Sequence, residues 1–524
     1  MVVPSFRAQA LLLAALLVSF TPLSPTRAQS TENVLRVGNG SEINSLDPAV
    51  QDVARLTVKM NTYDPLYRWL GNPPQMVPCL ATSYTESPDG LTYTVSLAHG
   101  ARFHYGTEVT ADDVVYSMER LLALKQGSAR FFLPLVAPGT TKAMDKYTVQ
   151  FTLKQPAAPF AGLLAELYVV NATLAKAHEQ NGDWSTAWLS SHEAGSGPYH
   201  VTQYDPAVGW YAERFKDYVL GWPANAPDGL RFRTIRETNS QTMALMRGDI
   251  DFFLGSISTD QFDKLAKMPN LVVMQEPHQR LFLINFNNKK PPFTDIHVRR
   301  AFSYAFDYAG LIHGLEQDKI TRDPVPMPPG VIGYPKDATG FTYDLAKAKA
   351  ELAQAEVPVD KPVTIYAMTG FPMPEQAAEI LQAGLRKLGV TANIVAETWP
   401  TLADKCRNPD TAPDIMPIWA SANYADPHTW AGEMYDSTRW GSYATCSYYK
   451  NPEVDTLLHK AFASQEPSER AELYEQANRI IMNDAPSIFV SNEIWINVRN
   501  KRVQGYEFTP VGNGNYLKPI WLQH

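Results

Sequence analysis

The chain has 524 residues, of which 45% are hydrophobic and 11% aromatic, and at roughly 150 residues per domain this length predicts about three domains or two large lobes. Its formal net charge of −8 and its lack of Lys/Arg runs exclude nucleic acid and anionic lipid surfaces as main partners. The three cysteines include no C-x-x-C pair, so the sequence predicts neither a structural zinc nor a dithiol redox centre.

The N-terminus has the pattern of a secretory signal peptide, which we place at residues 1–28. Arg7 gives a positive start, and the apolar run from Ala10 to Phe20 is too short to cross ~30 Å of hydrocarbon as a helix. Thr26 to Ala28 form a usable cleavage site. The alternatives are an uncleaved anchor or a buried helix. No Cys follows the apolar run, so we expect an exported protein that is neither a lipoprotein nor inserted in a membrane.

Strand-like and helix-like segments alternate along the rest of the chain. Three helix starts are signalled at Thr110, Asp295 and Pro467. In the first, Asp113 is placed to reach back to Thr110 as a capping box, and the second helix is expected to extend to Ala309. Together with the strands, these helices predict a mixed α/β protein. Alternating β-branched and aromatic residues predict strands at 34–37, 91–97 and 147–153.

Six blocks of sequence carry a family resemblance because they occur in one order along the whole chain. The run F-H-Y-G-T-E-V-T-A-D-D-V from Phe103 is similar to the family's F-H-D-G-T-x-V-T-A-D-D-V, and Gly195–Tyr199 matches its G-T-G-P-Y turn. The chain resembles the dipeptide/oligopeptide-binding proteins of ABC importers, bacterial extracellular solute-binding protein family 5. The six blocks are Asn39–Pro48, Phe103–Arg120, Gly195–Tyr199, Ala244–Asp251, Asn285–Ala301 and Asn451–Pro486.

The resemblance implies an α/β, periplasmic-binding-protein-like two-lobed fold with an extra domain inserted in the first lobe. Lobe I is expected to be discontinuous, the insert to cover residues 60–194, and lobe II to cover 282–502. Ligand is expected to bind between the lobes. Gly195 and Gly197 are interpreted as turn glycines that permit φ > 0. The three pieces of lobe I are 29–59, 195–281 and 503–524.

The stretch I-W-A-S-A-N-Y-A-D-P-H-T-W, residues 418–430, is the candidate ligand site. In peptide-binding members of the family an Asp in this region meets the free α-amine of the peptide. Here the corresponding residue is Asn423 in one register and Ala422 in the other, and neither supplies a negative charge. A buried ammonium without a carboxylate costs several kcal/mol. We therefore expect Asp426 or Glu42 to replace that charge, or a ligand without a free α-amine.

Aromatic residues and one histidine complete the candidate site. Trp419, Tyr424 and Trp430 are candidate walls because aromatics give large contact areas with few rotatable bonds; the alternative is that two of the three are core residues. His428 in Asp-Pro-His resembles a residue of the family's nickel-chelate binders that touches the metal, and the alternative is a hydrogen-bonded turn residue.

The sequence as a whole predicts a monomeric periplasmic binding protein that delivers short peptides or peptide-like solutes to the permease of an ABC importer. No catalytic residue, cofactor or protein-held metal is predicted, and His192-Glu193 lacks the second His of a zinc-protease helix. The alternatives are an opine or nickel-chelate binder on the same fold, a secreted hydrolase, and a holdase or sensor. Cys406 and Cys446 either form a disulfide or remain free thiols.

Overall fold

β-Sheets and surrounding helices make up the described part of the chain, as the mixed α/β pattern predicts. The computed structural model describes residues 33–40, 42–50, 53–254, 259–512 and 514–523, so the predicted signal peptide at 1–28 lies outside the described residues. Within the described ranges, no helix combines the length and apolarity needed to cross a bilayer.

The described strands are numbered in chain order. They are β1 Val34–Asn39, β2 Tyr67–Leu70, β3 Gln75–Pro78, β4 Ala81–Glu86, β5 Thr92–Leu97, β6 Val136–Asp145, β7 Thr148–Leu153, β8 Tyr199–Asp205, β9 Gly209–Arg214, β10 Gly229–Thr234, β11 Phe252–Leu254, β12 Leu271–Phe286, β13 Ile320–Arg322, β14 Val363–Met368, β15 Ala392–Glu397, β16 Ile415–Ser421, β17 Ser487–Asn500, β18 Val503–Gln504 and β19 Trp521–Leu522.

The described helices are numbered in the same way. They are α1 Val53–Thr62, α2 Ala111–Leu124, α3 Ala129–Phe132, α4 Phe160–Leu163, α5 Ala172–His178, α6 Thr186–Leu189, α7 Thr238–Arg247, α8 Thr259–Leu265, α9 Ile296–Ala305, α10 Leu345–Leu352, α11 Pro372–Lys387, α12 Trp399–Lys405, α13 Ala431–Tyr435, α14 Pro452–Ala463 and α15 Pro467–Asp484. Short 3₁₀ segments lie at Leu164–Glu166, Pro427–Thr429 and Ser437–Arg439, and a π-helical turn lies at Gly310–Leu315.

One large sheet passes through both halves of the chain. Its strand order is β15-β14-β16-β12-β17-β11-β1-β10-β9-β8, with β13 added beside β17. The long strands β12 and β17 pair antiparallel from Leu271 opposite Asn500 to Asn285 opposite Ser487, and this pairing is interrupted between Pro277 and Leu281. The two halves of the sheet are therefore connected through a strand pair that is broken near its middle.

A second, four-stranded antiparallel sheet with the order β4-β5-β7-β6 lies within the segment predicted as an inserted domain. Helix α2 packs on this sheet, and the two share one hydrophobic core. The predicted domain boundary at 59/60 falls inside α1, and the one at 281/282 falls inside β12. The division into domains at these residues stays a prediction.

The three predicted helices are present as α2, α9 and α15. The backbone N–H of Thr110 donates to the Asp113 carboxylate at 2.9 Å, as the capping-box pattern predicts. Asp295 caps α9 by accepting the N–H of His297 at 2.8 Å. The prediction that this helix extends to Ala309 is wrong, because α9 ends at Ala305 and a separate turn follows.

The glycines of the G-S-G-P-Y turn are required for a reason other than the predicted one. Neither Gly195 nor Gly197 has a positive φ. A Cβ at Gly195 would lie 1.9 Å from the carbonyl oxygen of Thr62, and one at Gly197 would lie 2.5 Å from the carbonyl carbon of the same residue. The expectation of φ > 0 is therefore wrong, and close packing against α1 explains these glycines.

Of the two alternatives for Cys406 and Cys446, a disulfide or free thiols, the structure shows the disulfide. Cys406 and Cys446 form a disulfide that joins the end of α12 to the loop before α14, across 40 residues of sequence. Cys79 is a free, buried thiol. The bridge holds together a part of the chain that carries few regular elements.

A buried ion pair connects two of the family blocks. Both guanidinium ends of Arg120 on α2 donate to the Asp47 carboxylate, at 2.8 and 2.6 Å, and both side chains are almost completely excluded from water. Arg120 also donates to the carbonyl of Trp184 at 2.8 Å. The pair anchors the first loop of the chain to the inserted segment.

We predict that Asp47→Asn lowers the free energy of unfolding by about 3–5 kcal/mol, because it leaves the buried Arg120 charge without a counter-ion. Denaturant unfolding followed by tryptophan fluorescence measures the change. Asp228→Asn is the matched control, since Asp228 is 60% exposed and its bond to Arg214 is a surface pair, which contributes at most about 1 kcal/mol. Equal midpoints for the two variants would contradict the prediction.

Candidate functional site

Alternate residues of β16 and the segment after it face an open side of the structure. Trp419, Ser421 and Asn423 are half-buried, whereas their neighbours Ala420 and Ala422 are buried. This is the period-two alternation of an extended chain with one packed face. The candidate stretch therefore presents Trp419 and Asn423 on the same partly open face.

Trp419 lies beside a charged pair on the two long strands. The Arg280 guanidinium is stacked over the Trp419 ring at 4.6 Å, and Arg280 Nη1 lies 3.2 Å from Glu493 Oε2. Phe371, which is one of the exposed large hydrophobic residues, meets the Trp419 ring edge-on at 5.5 Å. We call Arg280, Trp419 and Glu493 the hinge cluster, because Arg280 and Glu493 lie where the pairing of β12 and β17 is interrupted and Trp419 on β16 packs against Arg280.

Some hydrogen-bonding groups of the hinge cluster have no partner within the described part of the protein. Burial raises the pKa of Glu493, although the Arg280 charge and the Trp419 indole N–H oppose this shift. The Arg280 side chain is 29% exposed, and its Nε–H is buried with no hydrogen-bond partner among the described residues. Glu316 lies nearby, and its pKa is raised by burial and by the Glu493 charge. The Arg280 guanidinium therefore keeps one donor that no described residue uses.

Asn423 sits next to a loop from the C-terminal end of the chain. Its backbone N–H donates to Thr429 Oγ1 at 3.3 Å, while its side chain makes no hydrogen bond to any residue that the structure describes. The preceding carbonyl, that of Ala422, accepts the N–H of Gly512 at 2.9 Å. The Asn423 amide is therefore available at a point where two distant parts of the chain meet.

The two carboxylates expected to replace the missing charge are both held by arginines. Asp426 receives two bonds from Arg470 Nη2, at 2.8 and 2.7 Å, and also caps the following turn through the N–H of His428. Glu42 is exposed and is paired with Arg236. Neither lies in the hinge cluster, so their predicted contact with a ligand amine stays a prediction that lacks structural support.

The remaining predicted residues are buried. Trp430 and Tyr424 are 0% and 1% exposed and lie in hydrophobic cores. This agrees with the alternative that two of the three aromatic residues belong to the core. His428 is 1% exposed; its Nδ1 contacts the Tyr474 hydroxyl at 3.2 Å and its ring packs on Phe462. Burial, helped by nearby arginines, lowers the pKa of His428 well below its usual value.

Sequence reasoning missed Arg280 and Glu493. Neither belongs to a recognisable motif, and they are more than two hundred residues apart in the chain. A weak signal was available, because each is a charged residue inside a segment otherwise typical of a buried strand. Their meeting depends on the register of β12 against β17, which the sequence does not reveal.

A sequence profile described as "Bacterial extracellular solute-binding proteins, family 5 Middle" matches residues 75–442. The chain belongs to this family. As a family-5 solute-binding protein it is 30% identical over 518 residues to the probable D,D-dipeptide-binding periplasmic protein DdpA of Escherichia coli, with 95% of this chain and 96% of the relative covered. The family is one of binding proteins rather than enzymes.

Other relatives extend the comparison in sequence and in structure. Heme-binding protein A of Haemophilus influenzae is 29% identical, with 83% of this chain and 82% of the relative covered. The periplasmic binding protein DppA of Helicobacter pylori, solved in complex with the peptide STSA, is 27% identical and superposes with a TM-score of 0.84 over 94% of this chain and 98% of that one. These matches confirm the two-lobed α/β fold of this family-5 protein.

A histidine near the hinge cluster gives a prediction about pH. Burial, with help from the Arg280 charge, lowers the pKa of His278 from 6.5 to about 3, and the ring packs edge-on against both Trp495 and Phe508. Below pH 6.5 the unfolded chain takes up a proton that the folded His278 does not, so stability falls as the pH drops from about 6.5 towards 3.

We predict that His278→Gln flattens this part of the stability profile, by up to about 1.4 kcal/mol per pH unit. Urea unfolding of the wild type and the variant at half-unit steps between about pH 7 and pH 4 measures the difference, and all other titrating groups cancel in the comparison. Parallel profiles would show that His278 is protonated in the folded protein.

Proposed function

We propose that this protein captures short peptides or peptide-like solutes in the cleft between its lobes and delivers them unchanged to the permease of an ABC importer in the periplasm. The observation that supports this most is the hinge cluster, a half-open arrangement of one cation, one anion and an aromatic wall. Arg280 and Glu493 lie on the two long strands that connect the halves of the large sheet. The peptide ligands named for the relatives agree with this chemistry.

The hinge cluster suits a ligand that carries both charges. Arg280 can bind a carboxylate through its guanidinium, and its Nε–H is a donor without a partner among the described residues. Glu493 can accept an ammonium, which replaces the lost contact with Arg280. A zwitterionic ligand therefore replaces the Arg280–Glu493 pair by two pairs, one between each residue and the ligand group of opposite charge. No buried charge is left without a counter-charge.

Asn423 and Trp419 add neutral contacts on the same face. The Asn423 amide both donates and accepts hydrogen bonds, so it can contact a peptide group without a charge requirement. Trp419 offers a flat apolar wall next to the charged pair. In this arrangement Glu493, rather than residue 423, meets the ligand amine.

Capture is expected to move the protein towards a closed state. A ligand shifts such an equilibrium only by its difference in affinity for the two states. Arg280, Glu493 and Asn423 lie beside one another, because β12 pairs with both β17 and the strand that leads to Asn423. A ligand bound to them favours closure only through further contacts to a surface that closes over it.

The first test is to identify the ligand and show that it is returned intact. We predict that native mass spectrometry of protein purified from the periplasm finds one bound solute, and that calorimetry with di- to tetrapeptides gives one-to-one binding. Recovery of the same mass after prolonged incubation supports binding without catalysis. Cleaved ligand would favour the secreted hydrolase instead, and no binding across these peptides would contradict the peptide proposal.

The second test addresses the charged residues directly. We predict that Glu493→Gln weakens binding of a free-amine peptide by about 30-fold or more, since loss of a buried charge partner costs about 2–5 kcal/mol. The same variant should bind the N-acetylated peptide nearly as well as the wild type does. Glu475→Gln is the control, because Glu475 is an exposed carboxylate paired with Arg479.

The comparison of the two peptides distinguishes a direct contact from a general loss of fold. A folding defect weakens binding of both peptides alike, whereas a lost ammonium contact affects the free-amine peptide alone. Equal weakening of both peptides by Glu493→Gln, or none at all, would contradict the assignment of the amine to Glu493. Calorimetry at one pH and one salt concentration provides all four affinities.

A further inference from the structure

Three side chains outside the hinge cluster converge at the start of β8. His104 comes from the loop before α2, Glu193 precedes the G-S-G-P-Y turn, and His200 is the second residue of β8. One ligand atom from each of the three lies within 4.8 Å of the other two. His104 Nδ1 is 2.6 Å from Glu193 Oε1, and His200 Nδ1 is 3.8 Å from the same oxygen.

The His104 ring is fixed by its other nitrogen. Nε2 lies 2.8 Å from the carbonyl oxygen of Gly197, so it carries the proton and donates it. Metal-binding histidines are usually oriented in this way, by a hydrogen bond from the second ring nitrogen to a carbonyl or carboxylate. The bond directs Nδ1 of His104 towards Glu193 and His200.

The carboxylate and the second histidine are also suitably placed. Glu193 is buried, and its other oxygen accepts the N–H of Gly195 at 2.6 Å, so the ligand oxygen is held in position. The His200 ring is 27% exposed, which leaves a path for an ion and a position for water. Glu213 lies directly opposite His200 in the β8–β9 register.

The geometry points to a site for one Zn²⁺ ion, held by His104, Glu193 and His200 with water in the fourth position. Two imidazoles and one carboxylate are a donor set that zinc uses with an open coordination position. Bonds of about 2.0–2.2 Å require the His200 ring to turn inward, and its half-exposed position on β8 allows this. The three residues lie in no local zinc motif, so the sequence alone predicts no metal ligand here.

The position of the site indicates what the ion does. His104 belongs to the segment predicted as the inserted domain, whereas His200 belongs to the large sheet. An ion bound by both adds a link between the two, next to the close packing of Gly195 and Gly197 on α1. An ion that binds the folded state alone stabilises it by RT ln(1 + [Zn²⁺]/Kd), so the unfolding temperature rises with the free Zn²⁺ concentration.

The test uses the full mature protein after treatment with a chelator. We predict that it binds one equivalent of Zn²⁺ in competition with a chromophoric chelator, and that Co²⁺ in its place gives the visible absorption of a low-coordinate site. His200→Ala should weaken Zn²⁺ by at least about 10-fold, with loss of the Co²⁺ spectrum. His192→Ala is the matched control. His192 is an exposed histidine next to Glu193 in the sequence, and it is not one of the three proposed zinc ligands.

A rescue variant separates ligation from packing. His200→Cys keeps a zinc ligand while it removes the ring, so it should retain binding and give a Co²⁺ spectrum with sulfur character. Equal Zn²⁺ affinity for His200→Ala and the wild type would overturn the proposal. A wild-type protein that takes up no Zn²⁺ would also overturn it, and would leave His104 and Glu193 as a buried ion pair.

Discussion

The strand pair formed by β12 and β17 is the constraint on which the rest of the structure depends. Hydrogen bonds along 271–286 and 487–500 tie the two halves of the large sheet together, and paired strands can twist or bend but cannot slide without losing their bonds. Interruption of the pairing between Pro277 and Leu281 provides a place where bending costs few hydrogen bonds. The hinge cluster lies there, so the proposed ligand contacts coincide with the place where the strand pair bends most easily.

The charged side chains fall into buried ion pairs that stabilise the fold and a partly exposed pair, Arg280 with Glu493. Asp47 with Arg120, and Asp426 with Arg470, are closed pairs with both partners at least nine-tenths buried. To open either pair would strand a charge in a medium of low polarity, which costs several kcal/mol. Arg280 differs because it is partly exposed and holds Glu493 through a longer contact. Of these charged groups, Arg280 and Glu493 are therefore the ones that we propose exchange partners with a ligand.

The sequence predicted those features that depend on neighbouring residues, and it failed where distant residues meet. Asp113 and Asp295 were recognisable as caps, because a cap and its helix are adjacent in the chain. The two-lobed fold followed from ordered blocks. In contrast, the partner of Asp426 is forty-four residues away, so its carboxylate looked available when it was not. Arg280 and Glu493 carried only a weak local signal, a charge within a strand-like segment, and strand register alone brings them together.

Contacts outside the hinge cluster also bear on closure. Tyr424 lies in the segment predicted as lobe II. Its ring nevertheless packs edge-on against Phe131 of the predicted insert at 5.7 Å and lies in the hydrophobic core of that insert. The N–H of Ala158 donates to the carbonyl of Phe462 at 3.0 Å across the same contact. Exposing an aromatic side chain of this size costs about 1.5–3 kcal/mol. Rotation that separates these surfaces must supply that energy, so part of the preference for the joined conformation is built into the protein.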